Sequence, residues 1–212
     1  MGKTLEIVIP KGLNEITVGQ YQKYIALTEG IEDEGNLAEI AIICFCNVSI
    51  EHLRLLSSYQ VNDMASRLSV VVSQFTQDQP LIKKFILQGK EYGFIPTLDK
   101  ITYGENKDII EFLKAGTSSL HKAMGVLYRP VKKHSGDTYS IEKYEPSVEH
   151  QMLIKDMPLH VMFGAQVFFY NLTKELLSHI PNYLKKELEK RGELIQKVST
   201  KLTGDGMMSS TT

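Results

Sequence analysis

Cys44 and Cys46 are the first residues in the sequence whose type and spacing could do chemistry. Two thiolates one residue apart could supply half of a tetrahedral metal site, and a disulfide between them would be strained. Their neighbours are apolar, which raises the pKa of a thiol and keeps it protonated and unreactive. We therefore predict two buried structural cysteines, in a protein made for a reducing cytoplasm.

The histidines do not show the spacing of a metal site, because none lies four residues from another along a helix. Glu149-His150 and His160 flank a predicted helix boundary, and they are the remaining candidates for an acid–base site in a minor alternative, an enzyme. We predict that all six are solvated or structurally satisfied and that no metal is bound. The six are His52, His121, His134, His150, His160 and His179.

No other motif predicts catalysis or a cofactor. Gly2-Lys3-Thr4 imitates the end of a phosphate-binding loop but lacks the preceding strand and the first glycine, and no Gly-x-Ser-x-Gly turn is present. The acidic residues of the central region are interpreted as helix-start and surface charges, two of them (Glu105 and Asp108) favoured by the helix dipole. The sequence therefore predicts a non-enzymatic protein. These acidic residues are Asp99, Glu105, Asp108 and Glu111.

Composition narrows the class of protein further. The chain has 212 residues, 42% of them hydrophobic, and a net charge of -1, which argues against a disordered chain and against a dedicated nucleic-acid binder. The longest uncharged run, residues 157–173, is too short and too polar to span a bilayer. We expect a soluble intracellular protein without a membrane segment, and we expect nucleic acid to be an unlikely partner.

Helical periodicity dominates the elements that must position these residues. Thr17 is predicted to cap a helix that runs to Gly30, Ser49 to cap a short helix, and Pro158 to start a long helix to about His179. The stretch 37–45 is apolar on all sides, which is typical of a helix buried all round. Spacings of 3 and 4 predict a further helix over 61–75, and a short strand is predicted over 5–9.

A β-hairpin interrupts the helices after Pro80. Strands are predicted within 84–96 with Gly89 in the turn, and residues 139–144 are a plausible third strand. Between them, a helix is predicted to end at Tyr128-Arg129-Pro130 and to be followed by a polar loop over 132–137. The predicted class is mainly α (α+β), a helical core with a small antiparallel hairpin or three-stranded sheet.

The C-terminal region carries a heptad-like apolar seam on a highly charged helix. We assign residues 1–180 to one folded body and residues 181–212 to a charged helix and tail. Two interpretations stay open: the helix packs back on its own domain, or it binds a partner or another copy. The candidate partner-binding residues are Leu184, Leu188, Ile195, Val198 and Leu202.

One series of motifs has a more specific pattern than the rest. It consists of Tyr-Gly-Phe-Ile-Pro at 92–96, His-Lys-Ala-Met at 121–124, Leu-Tyr-Arg-Pro at 127–130, Met-Pro-Leu at 157–159, Gly164 and Phe168-Phe169. We interpret it as a hairpin that feeds helices and closes an aromatic mini-core, with Arg129 paired to a hairpin carboxylate or to Glu142. The alternative is a surface that contacts a partner.

This order of motifs resembles a family of small uncharacterised proteins that tailed bacteriophages encode among their virion structural and tail-assembly genes. The resemblance covers roughly residues 80–177, and it implies a non-enzymatic phage protein that is built into the particle or needed to build it. No residue roles follow from it.

The leading hypothesis is a structural component of the virion in the portal, neck or tail region, assembled in the host cytoplasm. It would act by contact with other phage structural or assembly proteins and with copies of itself, and the 84–103 hairpin would be a rigid contact. The alternative is a tail-assembly chaperone that binds the tape-measure protein and is absent from the mature particle. A DNA-contacting head protein is a minor alternative.

Overall fold

The computed structural model describes residues 7–74, 79–136 and 138–179, and within 173–179 the backbone alone. Eight α-helices and one four-stranded antiparallel sheet lie in these ranges, which makes the fold mainly α (α+β). The predicted class is confirmed. The elements are α1 (Val18–Thr28), α2 (Glu34–Phe45), α3 (Ile50–Leu53), α4 (Ser58–Val72), β1 (Lys84–Leu87), β2 (Lys90–Phe94), α5 (Tyr103–Lys114), α6 (Leu120–Leu127), β3 (Tyr128–Ser135), β4 (Thr138–Ile141), α7 (Val148–Leu153) and α8 (Leu159–His179).

Side chains at the helix starts explain where the N-terminal helices begin. Thr17 and Ser57 form capping boxes with a glutamine three residues later, which satisfies two backbone N–H groups at each end. Asp33 and Ser49 cap α2 and α3 in the simpler way. The predicted caps at Thr17 and Ser49 are confirmed, whereas the described part of the predicted first strand, residues 7–9, forms no strand.

Helix α2 is less buried than its apolar sequence predicts. It packs against α1 and α4, and only Ile42, Cys44 and Phe45 are fully buried. Ile40 and Ile43 are half-buried. The prediction of a helix buried on every side is therefore wrong, because the neighbouring helices cover one side of α2 and leave the other partly exposed.

The strands pair in the order β1-β2-β3-β4, each antiparallel to the next. The β1–β2 hairpin is confirmed: Gln88 and Gly89 both have positive φ, 47° and 78°, as a two-residue type I′ turn requires. A glycine suits the second of these positions because it has no Cβ to clash.

Strand β3 corrects the sequence prediction of a helix end followed by a polar loop. Tyr128 and Arg129 pair with Phe94 and Gly93 in β2, and the polar remainder of β3 forms an exposed ribbon with β4. That remainder lacks alternation of apolar and polar residues, which is why periodicity gives no strand signal. The predicted third strand is thus the fourth, and it ends at Ile141 rather than residue 144.

The aromatic residues of the sheet form a packed cluster on one face. The ring of Phe94 meets that of Tyr128 edge-on at 5.2 Å, and Phe85 lies 5.5 Å from the same tyrosine. Tyr128 is fully buried and its hydroxyl donates to the Ile82 carbonyl over 2.9 Å, so its polar tip is satisfied. These contacts join β1, β2 and β3 to one another on this face of the sheet.

Gly93 in β2 leaves room for a side chain of β4, the edge strand. A Cβ at Gly93 would overlap the Tyr139 ring, which lies over this position. The Tyr139 hydroxyl donates to the Phe94 carbonyl over 2.7 Å, and the Lys83 carbonyl oxygen lies 3.2 Å from the same hydroxyl. The glycine of the Tyr-Gly-Phe-Ile-Pro motif therefore has a packing role.

We expect Tyr139→Phe to lower the free energy of unfolding by about 1 kcal/mol, because the Phe94 carbonyl loses its hydroxyl donor. Tyr103→Phe is the matched control, since Tyr103 is 85% exposed. Urea unfolding of both variants measures the effect, and equal stabilities would contradict the assigned hydrogen bonds.

The Met-Pro-Leu motif ties α8 to the N-terminal segment. The Val18 N–H donates to the Met157 carbonyl and the Leu159 N–H donates to the Ile16 carbonyl, at 2.9 and 2.8 Å. Pro158 lies between them opposite Thr17. Helix α8 then spans Leu159–His179, which confirms the predicted long helix.

The chain divides into two compact units, Met1–Phe168 and Phe169–Thr212. The predicted boundary between residues 180 and 181 stays a prediction, because residues 180–212 lie outside the described ranges. Among the described residues, the helices are too short or too polar to cross a membrane.

Candidate binding cleft

Arg129 and Glu105 come from elements far apart in sequence. Arg129 is the second residue of β3, where it lies opposite Gly93. Glu105 is in the first turn of α5, whose cap is Thr102. The Thr102 N–H donates to Glu105 Oε2 over 2.7 Å, so the capping box fixes the carboxylate at the helix start.

These two residues form a buried ion pair. Nη1 of Arg129 donates to Oε1 of Glu105 over 2.7 Å, and the side chains are 9% and 6% exposed. The prediction that Arg129 pairs with a hairpin carboxylate or with Glu142 is wrong, and so is the assignment of Glu105 to the surface. Because Arg129 lies in a strand rather than at a helix end, it is directed towards α5.

The pair leaves donors of the guanidinium unused. Both oxygens of Glu105 are engaged, one by Arg129 and the other by the Thr102 N–H. Nε of Arg129 is buried and has no hydrogen-bond partner. The arginine is therefore held by a single contact rather than by the two parallel hydrogen bonds that a guanidinium can make with a carboxylate.

Tyr144 connects the segment after β4 to the same helix. Its hydroxyl donates to Asp108 Oδ2 over 2.7 Å. Burial, and then the neighbouring Asp108 carboxylate, raise the pKa of Tyr144, so the phenol stays protonated. Asp108 therefore accepts a hydrogen bond from Tyr144, and the sequence did not indicate this contact.

Two cavities of about 380 and 770 Å³ share Arg129, Glu142, Lys143 and Tyr144 in their walls. We call the two together the Arg129 cleft. The smaller cavity is also lined by Lys132, Glu145, Ser147 and His150, and the larger by residues that include Pro96, Lys100, Thr102 and Glu105.

His150 is held in the wall of this cleft by two contacts. Its ring stacks on Tyr92 at a centroid distance of 5.9 Å, and its Nε2 lies 3.1 Å from the Gly125 carbonyl. His160 is elsewhere: its backbone N–H donates to the Leu13 carbonyl, and burial lowers the pKa of its ring. No hydrogen bond joins the two histidines in the described ranges, and of the two only His150 lines the Arg129 cleft.

The two cysteines are buried and free, as predicted. Burial raises the pKa of both thiols, that of Cys46 to about 11. Both are therefore protonated at neutral pH. The prediction that they are buried is confirmed. Among the described residues, no group of three or more His, Cys, Asp or Glu side chains is arranged to hold a metal ion.

His121, in the His-Lys-Ala-Met motif, is a buried neutral histidine. Gln22 Nε2 lies 3.0 Å from its Nδ1 and also donates to the Thr117 carbonyl over 2.6 Å. Burial, followed by the charges of Lys155 and Lys122, lowers the pKa of His121 to about 4. Protonation of the His121 ring in α6 therefore opposes its contact with Gln22 of α1.

This burial predicts a pH-dependent loss of stability. Because His121 binds a proton more weakly in the folded chain, the unfolded chain takes up protons first as pH falls. We expect the free energy of unfolding to decrease from about pH 6.5 to about pH 4, with a smaller decrease in His121→Gln. Urea unfolding across this range measures it, with exposed His52→Gln as the control. Parallel profiles for His121→Gln and the unchanged chain would contradict the prediction.

The candidate residues of the heptad-like seam lie outside the described residues. They are Leu184, Leu188, Ile195, Val198 and Leu202. The Glu105–Arg129 pair was missed at the level of sequence. The Thr-x-x-Glu capping-box pattern at Thr102 was a signal for the position of Glu105, although it does not give the arginine partner.

Comparisons of the chain with protein-family models, with curated proteins and with solved structures find no match.

Proposed function

We propose that this chain is a non-enzymatic structural component of a tailed-phage virion, in the portal, neck or tail region, and that it acts by protein–protein contact. The observation that carries the proposal is the packing of the residues on which the sequence resemblance rests. Tyr92, Phe94, Tyr128 and Met157 are each at most 4% exposed. The fold therefore requires these residues at these positions. This supports a resemblance that extends to the folded core.

An exposed apolar stripe supports contact with another protein. Tyr103, Ile110 and Leu113 of α5 are separated by seven and three residues, which places them along one side of the helix. All three are exposed. A row of apolar side chains on one side of a helix is typical of a surface that meets a partner.

Quantitative mass spectrometry of purified virions tests the proposal. We expect a fixed copy number that matches the symmetry of a portal or tail ring. A variable copy number, or absence from particles while the chain is abundant in the infected lysate, would contradict it.

The alternative is a tail-assembly chaperone that binds the tape-measure protein. The observation that favours it is an apolar cavity of about 390 Å³ among α1, α2 and α8, with aromatic side chains in its wall. Such a cavity can receive an apolar side chain of a helix. In this case the chain co-purifies with the tape-measure protein from lysates and is missing from the mature particle. The aromatic residues are Tyr21, Tyr24, Phe45 and Phe163.

A further inference from the structure

The Arg129 cleft contains a buried cation with unused donors. Nη1 of Arg129 contacts Glu105, Nε has no partner, and no other acceptor for the guanidinium is found in the described ranges. Buried N–H groups without acceptors are costly, and hydrogen bonds to charged groups are the strong ones. Arg129 lines both cavities, so an acceptor that enters the cleft can bind the donors of the guanidinium that face it and offset its charge.

The surroundings of Arg129 favour an anionic acceptor. In each of the two cavities the basic residues exceed the acidic ones by one. Lys100, Lys132 and Lys143 line the cleft, and none of them forms an ion pair with another described residue. Their ammonium groups are therefore available to an incoming negative charge.

Two glutamates restrict the kind of anion. Glu142 and Glu145 lie in the wall of the smaller cavity. They would repel a densely charged phosphate backbone, whereas a single carboxylate beside Arg129 is offset by the neighbouring lysines. The larger cavity, about 770 Å³, has room for several residues of a peptide around such a carboxylate.

We propose that the Arg129 cleft binds a single carboxylate side chain of a partner protein. This inference rests on the proposed role in protein–protein contact and names the chemistry of the partner. The carboxylate accepts from the guanidinium of Arg129, and the lysines of the cleft offset the negative charge of Glu142 and Glu145.

A peptide that carries one glutamate among uncharged residues is the probe, titrated into the full-length protein at low ionic strength. We expect it to shift the Arg129 Nε–H signal in the nitrogen–proton correlation spectrum, which Arg129→Lys identifies by removing it. We expect the surface variants Lys100→Gln and Lys143→Gln to weaken binding by about threefold each. Lys107→Gln is the matched control, because Lys107 is an exposed lysine of α5 outside the cleft.

An equal effect of the same peptide with glutamine in place of the glutamate, no shift of the Arg129 signal, or equal weakening by Lys107→Gln would overturn the proposal. Tighter binding of inorganic phosphate than of the glutamate peptide would overturn it in favour of a free-anion site. These results are distinct from a failure of the proposed function. Virion mass spectrometry tests the proposed function, and the peptide titration tests whether the Arg129 cleft binds a carboxylate.

Discussion

Arg129→Met lowers the free energy of unfolding by about 3–5 kcal/mol, because it leaves the Glu105 carboxylate buried without its cation. The carboxylate is 6% exposed and cannot recover its hydration without disturbing the start of α5. Urea unfolding monitored by circular dichroism gives the free energy and shows whether the unfolding slope stays constant.

The chain offers a matched rescue of this variant. Glutamine is accepted at the third position of a capping box, so Glu105→Gln removes the charge and keeps the bond to the Thr102 N–H. We expect Arg129→Met/Glu105→Gln to be more stable than Arg129→Met alone. If the double variant loses the sum of the two single losses, the pair is not coupled and the prediction is wrong.

Gly164→Ala lowers the free energy of unfolding by about 2–3 kcal/mol, although alanine is the better helix former. A Cβ at Gly164 would overlap the carbonyl oxygen of Pro80 and lie 3.2 Å from the Pro80 carbonyl carbon. These are backbone atoms, so the segment before β1 or helix α8 has to move. Urea unfolding measures the loss.

Gly104→Ala is the control for this variant. Gly104 lies in the first turn of α5, and nothing is within 4 Å of the position that its Cβ would take. We expect a gain of up to about 1 kcal/mol from helix propensity alone. A gain at both positions would show that α8 does not approach Pro80 as closely as described.

Arg129 and Gly164 both belong to the motifs on which the expected resemblance to phage proteins is based. In the structure Arg129 binds Glu105 of α5, and Gly164 leaves space for the Pro80 carbonyl beside α8. Their spacing therefore reflects the packing of this fold. The proposed contacts with partners rest on the α5 stripe, on Arg129 and on the lysines of the cleft.

The elements predicted correctly are those whose signals are local. The cap at Thr17, the turn at Gly89 and the start of α8 after Pro158 each depend on side chains within a few residues of the element concerned. Strand β3 was missed because its first residues follow α6 without a break and its second half is polar. Its hydrogen bonds to β2 join Arg129 to a residue 36 positions earlier.

The sequence by itself determined the mainly helical class, the hairpin and the burial of Cys44 and Cys46, because apolar periodicity, turn chemistry and neighbouring residues decide these features. Only the tertiary structure decided that Glu105 is buried against Arg129, that Tyr139 lies over Gly93, and that a cleft forms beside them. These pairings join residues more than twenty positions apart. Local hydrogen bonds and apolar periodicity do not predict these pairings. They depend on which faces of the helices and strands pack against each other.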